Sequence, residues 1–267
     1  MKLFRIFSAA VRFGVFFAWI FAQVPVLLII APFGRRLKIW QMHIFMSVSA
    51  RLFGVRFRVK GKLSEHRPLL LVSNHISIFE IIIFPALFKC GFFAKSEVKK
   101  WFPVNLFIAG FGNLFIDRRP TRAIQVISAT RKQMENTKNA FVMFPEGTTN
   151  NGNYVLPFKS AIFDFLSGAE AVRIQPIAII YRDKNGKKIP PQILADEYAY
   201  MTNSRQSQPP YTTRELSIVQ LVWRTLIRGG FLVEVYVSPT FNHSGLDRKQ
   251  IAAKLHEIVS KKFNDEN

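Results

Sequence analysis

The chain has 267 residues, 49% of them hydrophobic and 14% aromatic, with 27 Phe. This is enough apolar material to bury a substantial core and leave some over for a bilayer, and it excludes intrinsic disorder. Thirty-seven Lys and Arg against 17 Asp and Glu give a formal net charge of +20, so the surface is drawn to polyanions: nucleic acid, anionic lipid or a phosphorylated small molecule.

Residues 13–34, FGVFFAWIFAQVPVLLIIAPFG, carry no charge, with Lys2, Arg5 and Arg12 before them and Arg35, Arg36 and Lys38 after. At about 1.5 Å per residue a helix of this length just crosses a hydrocarbon core of about 30 Å. A cleaved signal peptide fits poorly, because the apolar core is long and no small-x-small site follows. A spanning helix and a hairpin dipping into one leaflet both remain open. Gln23 and Pro25 near the middle allow a kink, and basic residues at both ends suit an anionic surface on one side. A buried core helix is the remaining alternative. Residues 1–40 are thus expected to be a membrane anchor and 41–267 a folded domain.

Residues 41 onward read as a helix, followed by a strand around VRFRVKG and a short apolar run, LLLVS at 69–73, that suits a central strand. FEIIIFPALF is expected to be a helix interrupted by Pro85, and Cys90 beyond it a buried small hydrophobe. As the one cysteine of the chain, it allows no intrachain disulfide. FFAK (92–95), NLFID (113–117), AFVM before Phe144, VRIQPIAIIY and FLVEVYV read as further strands, and 121–136, 160–169, 214–228 and 247–262 as helices. The polar, Pro-containing stretch from Arg182 to about Thr213 reads as a long loop. Strands alternating with helices predict an α/β domain: a mostly parallel sheet flanked by helices.

Three short segments carry polar groups where apolar strands end. The first is Asn74-His75-Ile76-Ser77-Ile78-Phe79-Glu80. On one continuous helix, residues five apart point about 140° apart, so His75 and Glu80 meet only if His75 precedes the helix and Glu80 lies in its first turn. The carboxylate then holds one imidazole nitrogen and leaves the other free as a base. Ser77-x-x-Glu80 equally matches a capping box, in which Glu80 merely accepts a backbone N–H. The second is Phe144-Pro145-Glu146-Gly147-Thr148-Thr149-Asn150, either a phosphate-accepting turn or a simple strand exit. The third is Gly112-Asn113-Leu114-Phe115-Ile116-Asp117-Arg118-Arg119, which delivers two arginines suited to phosphate oxygens or merely solvated. Val172-Arg173-Ile174-Gln175-Pro176-Ile177-Ala178 reads as core with no chemistry of its own. No paired His or Cys spacing suggests a metal, no phosphate-binding G-x-x-x-x-G-K loop is present, and no nucleic-acid-binding motif appears.

Taken together in this order, H-x-x-x-x-acid, G-x-x-F-I-D-R, F-P-E-G-T and an apolar strand with Pro, over about residues 70–180, resemble the four blocks of the glycerolipid acyltransferases, the lysophosphatidic acid acyltransferase family. VEVYVSPTF echoes its closing strand. The resemblance implies that His75 takes the proton of the acceptor hydroxyl and that Glu80 orients it. It implies that Arg118 binds the acceptor phosphate, that Glu146 and Gly147 shape that pocket, and that Thr148 adds a hydroxyl. The implied reaction moves a fatty acyl group from an acyl-CoA or acyl-ACP thioester to lysophosphatidic acid, giving phosphatidic acid, with no cofactor and no metal. Its place would be an anionic membrane surface, the cytoplasmic face of the inner membrane, with no nucleic acid as partner. Another lysolipid or glycerol 3-phosphate as acceptor, or a non-catalytic binder of anionic membranes, are the alternatives. Two departures stand out. The family's usual acid in the first block is Asp where this chain has Glu80, and its F-K-x-G-A-F is here Phe158-Lys159-Ser160-Ala161-Ile162-Phe163.

Overall fold

The computed structural model describes residues 2–95, 113–116, 123–166, 168–190 and 218–267. The chain opens with two helices, α1 (Lys2–Ile30) and α2 (Arg35–Leu52). Pro25 lies inside α1 without ending it; the reversal falls at residues 31–34, and α2 then runs unbroken across residue 40. One face of α1 packs on the domain: Phe16 meets Phe53 at 4.6 Å between centroids, Trp19 stacks on Phe45, and Gln23 accepts from Gln41 at 2.6 Å. Leu3, Phe4, Phe7, Phe21, Leu28 and Ile29 stay exposed. By length and composition Leu3–Ile30 is sufficient to cross a membrane.

The core is a mixed seven-stranded sheet among the described residues, in the order β1-β7-β6-β2-β5-β3-β4. Its strands are β1 (Arg56–Lys60), β2 (Leu69–Ser73), β3 (Cys90–Lys95), β4 (Leu114–Ile116), β5 (Ala140–Met143), β6 (Arg173–Arg182) and β7 (Leu232–Val237). Every pairing is parallel except β6 with β7, which bears out a mostly parallel sheet flanked by helices. β2 and β5 are buried at every residue, as continuous apolar runs in a doubly covered parallel sheet must be. β1 lies at an edge, and its Arg56, Arg58 and Lys60 are exposed, charges that discourage pairing with another chain.

The remaining helices are α3 (Glu80–Phe88), α4 (Ala123–Glu135), α5 (Ile218–Arg228) and α6 (Arg248–Glu266), with a 3₁₀ segment over Ser160–Leu166. α6 starts on a capping box: the Asp247 side chain accepts from the Lys249 and Gln250 amides, and Gln250 returns a bond to the Asp247 amide. α2 packs on α3, and α5 on α1, where the Phe13 ring meets Trp223 edge-on. Between α5 and β7 the backbone of Gly230 (φ +92°) approaches Gly54 (φ +71°) so closely that a Cβ on Gly230 would lie 2.1 Å from the Gly54 carbonyl oxygen. Only glycine fits that crossing.

Candidate active site

Two of the three polar segments, 74–80 and 144–150, meet at the carboxyl ends of β2 and β5, where open parallel sheets place their ligand crevices. Register brings them together. β2 and β5 pair Val72 with Met143, and the same offset carried three residues onward sets His75 beside Glu146, whose Oε1 accepts the His75 amide at 2.7 Å. β2 and β6 are tied beyond their ladder by Asn74, whose side-chain amide donates to the Ile179 carbonyl at 3.0 Å and accepts the Ile179 amide at 2.8 Å.

His75 precedes α3 and Glu80 is its first residue, the one arrangement in which the spacing lets the two meet. The two readings of Glu80 turn out to be the two oxygens of one carboxylate. Oε1 accepts the Ser77 amide at 2.8 Å, the Ile76 amide at 3.2 Å and the Tyr181 hydroxyl at 2.9 Å, so it secures the turn that leads into the helix. Oε2 meets His75 Nδ1. An ionised carboxylate can only accept, so Nδ1 carries the proton and Nε2 presents its lone pair. Glu80 is fully buried, whereas the His75 side chain is 19% exposed, and Nε2 has no protein partner among the described residues. The imidazole lies flat on the Phe144 ring, 4.4 Å between centroids at 15°. A buried acid, a fixed ring and one open basic nitrogen form an arrangement able to take a proton from a hydroxyl.

Glu146 is buried and faces inward. Its Oε1 accepts from His75, and its Oε2 accepts the Asn150 side-chain amide at 2.7 Å and the Leu156 amide at 3.0 Å. Burial pushes its pKa up to about 8; these donors pull the other way, and the Glu80 charge adds to the rise. Asn150 completes the clasp, its amide donating to the His75 carbonyl at 3.1 Å and its side chain to the Tyr154 carbonyl at 2.9 Å. Glu146 thus fastens the turn after β5 to the turn that bears His75. Gly147 has φ +72° and lies against the Lys159 ammonium, while Lys159 donates its amide to the Pro145 carbonyl. Thr148 is half-buried beside the turn, its hydroxyl 3.4 Å from the Thr149 carbonyl. Arg118 lies outside the described residues, two positions past the end of β4. Cys90 is fully buried, and burial pushes its thiol far up, consistent with a core residue. Among the described residues no cluster of His, Cys, Asp or Glu suits a metal.

The acyltransferase family model matches residues 54–180. A lyso-ornithine lipid O-acyltransferase of Brucella abortus (strain 2308) is 37% identical over 226 residues, which cover 81% of this chain and 79% of that one. The chain belongs to the glycerolipid acyltransferase family. A 1-acyl-sn-glycerol-3-phosphate acyltransferase of Neisseria gonorrhoeae is 32% identical over 121 residues, 45% of this chain and 47% of its own. The crystal structure of the 1-acyl-sn-glycerophosphate acyltransferase PlsC from Thermotoga maritima superposes with a TM-score of 0.67 over 99% of this chain and 97% of that one; at 16% identity it speaks for the fold alone. As a glycerolipid acyltransferase, the protein takes an acyl donor and a lysolipid acceptor. The apolar α1 accords with association with a membrane.

Proposed function

We propose that this acyltransferase moves an acyl group from a thioester donor, acyl-CoA or acyl-ACP, to the free hydroxyl of a lyso-ornithine lipid at an anionic membrane surface. The observation that carries the chemistry is the His75 imidazole, fixed through Nδ1 by buried Glu80 and open at Nε2. Nε2 removes the hydroxyl proton as the oxygen attacks the thioester carbonyl. Collapse of the tetrahedral intermediate breaks the C–S bond, and the imidazolium returns the proton to the leaving thiolate. Metal and cofactor are unnecessary to this route, since the thioester already supplies the activation. The acceptor rests on the Brucella relative, which matches across 79% of its own length. Lysophosphatidic acid is the second acceptor, favoured by the Neisseria relative and by Arg118, whose guanidinium suits a phosphate. Glu146 and Gly147 shape the acceptor side of the pocket by holding the turn, and Thr148 offers its hydroxyl to the acceptor. Residues 1–40 anchor the catalytic domain, 41–267, at the cytoplasmic face of the inner membrane, where the basic surface meets anionic lipid.

The test is acyl transfer by membranes carrying the protein, using labelled donor with lyso-ornithine lipid and lysophosphatidic acid in parallel. O-acylated product from the wild type and at least about a 10²-fold loss in His75→Ala is expected, the scale of general-base removal. The acceptor turned over faster decides between the two lipids. Wild-type turnover by folded His75→Ala, or no transfer to either lipid, overturns the proposal.

A further inference from the structure

We infer that Tyr181 is a positioning residue for the His75–Glu80 pair, fixing the carboxylate from across the sheet so that its other oxygen stays on the imidazole; this rests on the dyad reading above. Three donors reach Glu80 Oε1. Two, the Ile76 and Ser77 amides, belong to the same short turn as His75 and move with it. The third, the Tyr181 hydroxyl at 2.9 Å, comes from β6, which is part of the sheet itself. Tyr181 is buried, stacked on Phe231 at 5.1 Å and 25°, and its backbone is held in the β6–β7 ladder opposite Val233. Its hydroxyl therefore has little freedom, and it refers the carboxylate to the rigid part of the fold rather than to the loop.

The length of Glu80 fits this role. An aspartate, the usual acid of this block, is shorter by one methylene, a reach of roughly 1.5 Å. The glutamate spans from α3 to both His75 and the β6 hydroxyl at once. With one oxygen fixed by the turn and by β6, rotation about the carboxylate bond is restricted and Oε2 is directed to Nδ1. Remove the phenol oxygen and the carboxylate is held by loop amides alone, so the imidazole samples orientations in which Nε2 points away from the acceptor hydroxyl.

A buried tyrosine also simply needs a partner for its hydroxyl, so the test must separate positioning from stability. Wild type, Tyr181→Phe, Glu80→Gln and the double variant are compared by kcat and KM, using whichever of lyso-ornithine lipid and lysophosphatidic acid the wild type acylates, with melting temperature measured alongside. Tyr181→Phe is expected to lower kcat about tenfold, or about 1.4 kcal/mol of transition-state stabilisation, with KM for both substrates unchanged. In the Glu80→Gln background the same change should have little further effect on kcat, because no charged acid is left to orient. If Glu80→Gln is impaired while Tyr181→Phe turns over like the wild type, the inference about Tyr181 fails and the dyad stands. A fall in melting temperature with unchanged kcat makes Tyr181 a core residue only. If Glu80→Gln itself is as active as the wild type, or if the wild type acylates neither lipid, the dyad reading falls and takes the inference with it.

Discussion

Glu80→Gln separates helix capping from orientation of the base in one substitution. The amide oxygen can occupy the Oε1 place and keep the Ile76, Ser77 and Tyr181 donors. Gln can accept the same three hydrogen bonds, so the turn ahead of α3 is preserved. The amide nitrogen must then occupy the Oε2 place against His75 Nδ1. Two N–H groups cannot face each other there, so the imidazole adopts the other tautomer, accepting at Nδ1 and carrying its proton on Nε2. The nitrogen needed as base is now protonated. In a catalytic triad the same carboxylate-to-amide change costs about 10⁴-fold in kcat, equivalent to roughly 5.4 kcal/mol. A loss of about 10³- to 10⁴-fold is expected here, with KM for both substrates near the wild-type values. Losing a charged hydrogen bond and shedding the cost of a buried charge oppose each other, so melting should shift by less than about 4 °C. The assay is steady-state thiol release from the acyl thioester, with a thermal melt on the same preparation. Near-wild-type kcat in a protein that melts normally would refute the reasoning and leave Glu80 as a cap.

Glu146→Ala strands the His75 and Leu156 amides and takes one of two acceptors from the Asn150 side-chain amide, at about 1–3 kcal/mol for each unsatisfied buried donor; a melting point at least 6 °C lower is expected. An unchanged melt with a raised acceptor KM would instead put the carboxylate in contact with substrate. Gly230→Ala drives a Cβ into the Gly54 carbonyl and should cost more than about 3 kcal/mol, read as loss of folded protein, whereas Gly14→Ala, with nothing within 4 Å among the described residues, should be neutral or stabilising by up to about 1 kcal/mol. His243 is buried, and its Nε2 has no hydrogen-bond partner among the described residues. Burial lowers its pKa below the ordinary 6.5, with Arg173 adding to the fall and the Ala169 backbone and Glu170 opposing it. Below about pH 6.5 the unfolded chain therefore binds a proton that the folded one resists, and stability falls as pH drops. Denaturant titration at pH 7.5 and pH 5 should show a smaller loss in His243→Leu; equal losses would refute it.

What could be read from the residues follows the range of the interactions. LLLVS, AFVM and VRIQPIAIIY declare themselves as strands because their apolar runs are continuous, and the 140° argument made a His75–Glu80 contact conditional on His75 standing outside the helix that Glu80 begins. The opposition between cap and dyad was false, since a carboxylate has two oxygens and pattern matching treats it as one group. Long-range partners were hidden. The offset that sets Glu146 beside His75 is a sheet register, and nothing local to Phe144–Asn150 reveals it. Tyr181 ends a strand that reads as pure core, and its contact with Glu80 depends on β2 and β6 being neighbours. The reversal of β7 was likewise illegible, because Gly229-Gly230 marks a turn without stating its direction. In α1 the helix continues through Pro25, whose missing amide is tolerated, and the chain turns only after Ile30. Arg118 falls beyond the residues the structure describes.

The shared carboxylate of Glu80 also means that, on the proposed mechanism, the order of the turn ahead of α3 and the setting of the base are linked. When that turn opens, the Ile76 and Ser77 amides leave Oε1, and the Tyr181 hydroxyl is the donor that stays with the acid. Catalytic competence is then coupled to the local folding of residues 75–77. Hydrogen exchange at those two amides reports how often the turn opens, without any substrate present.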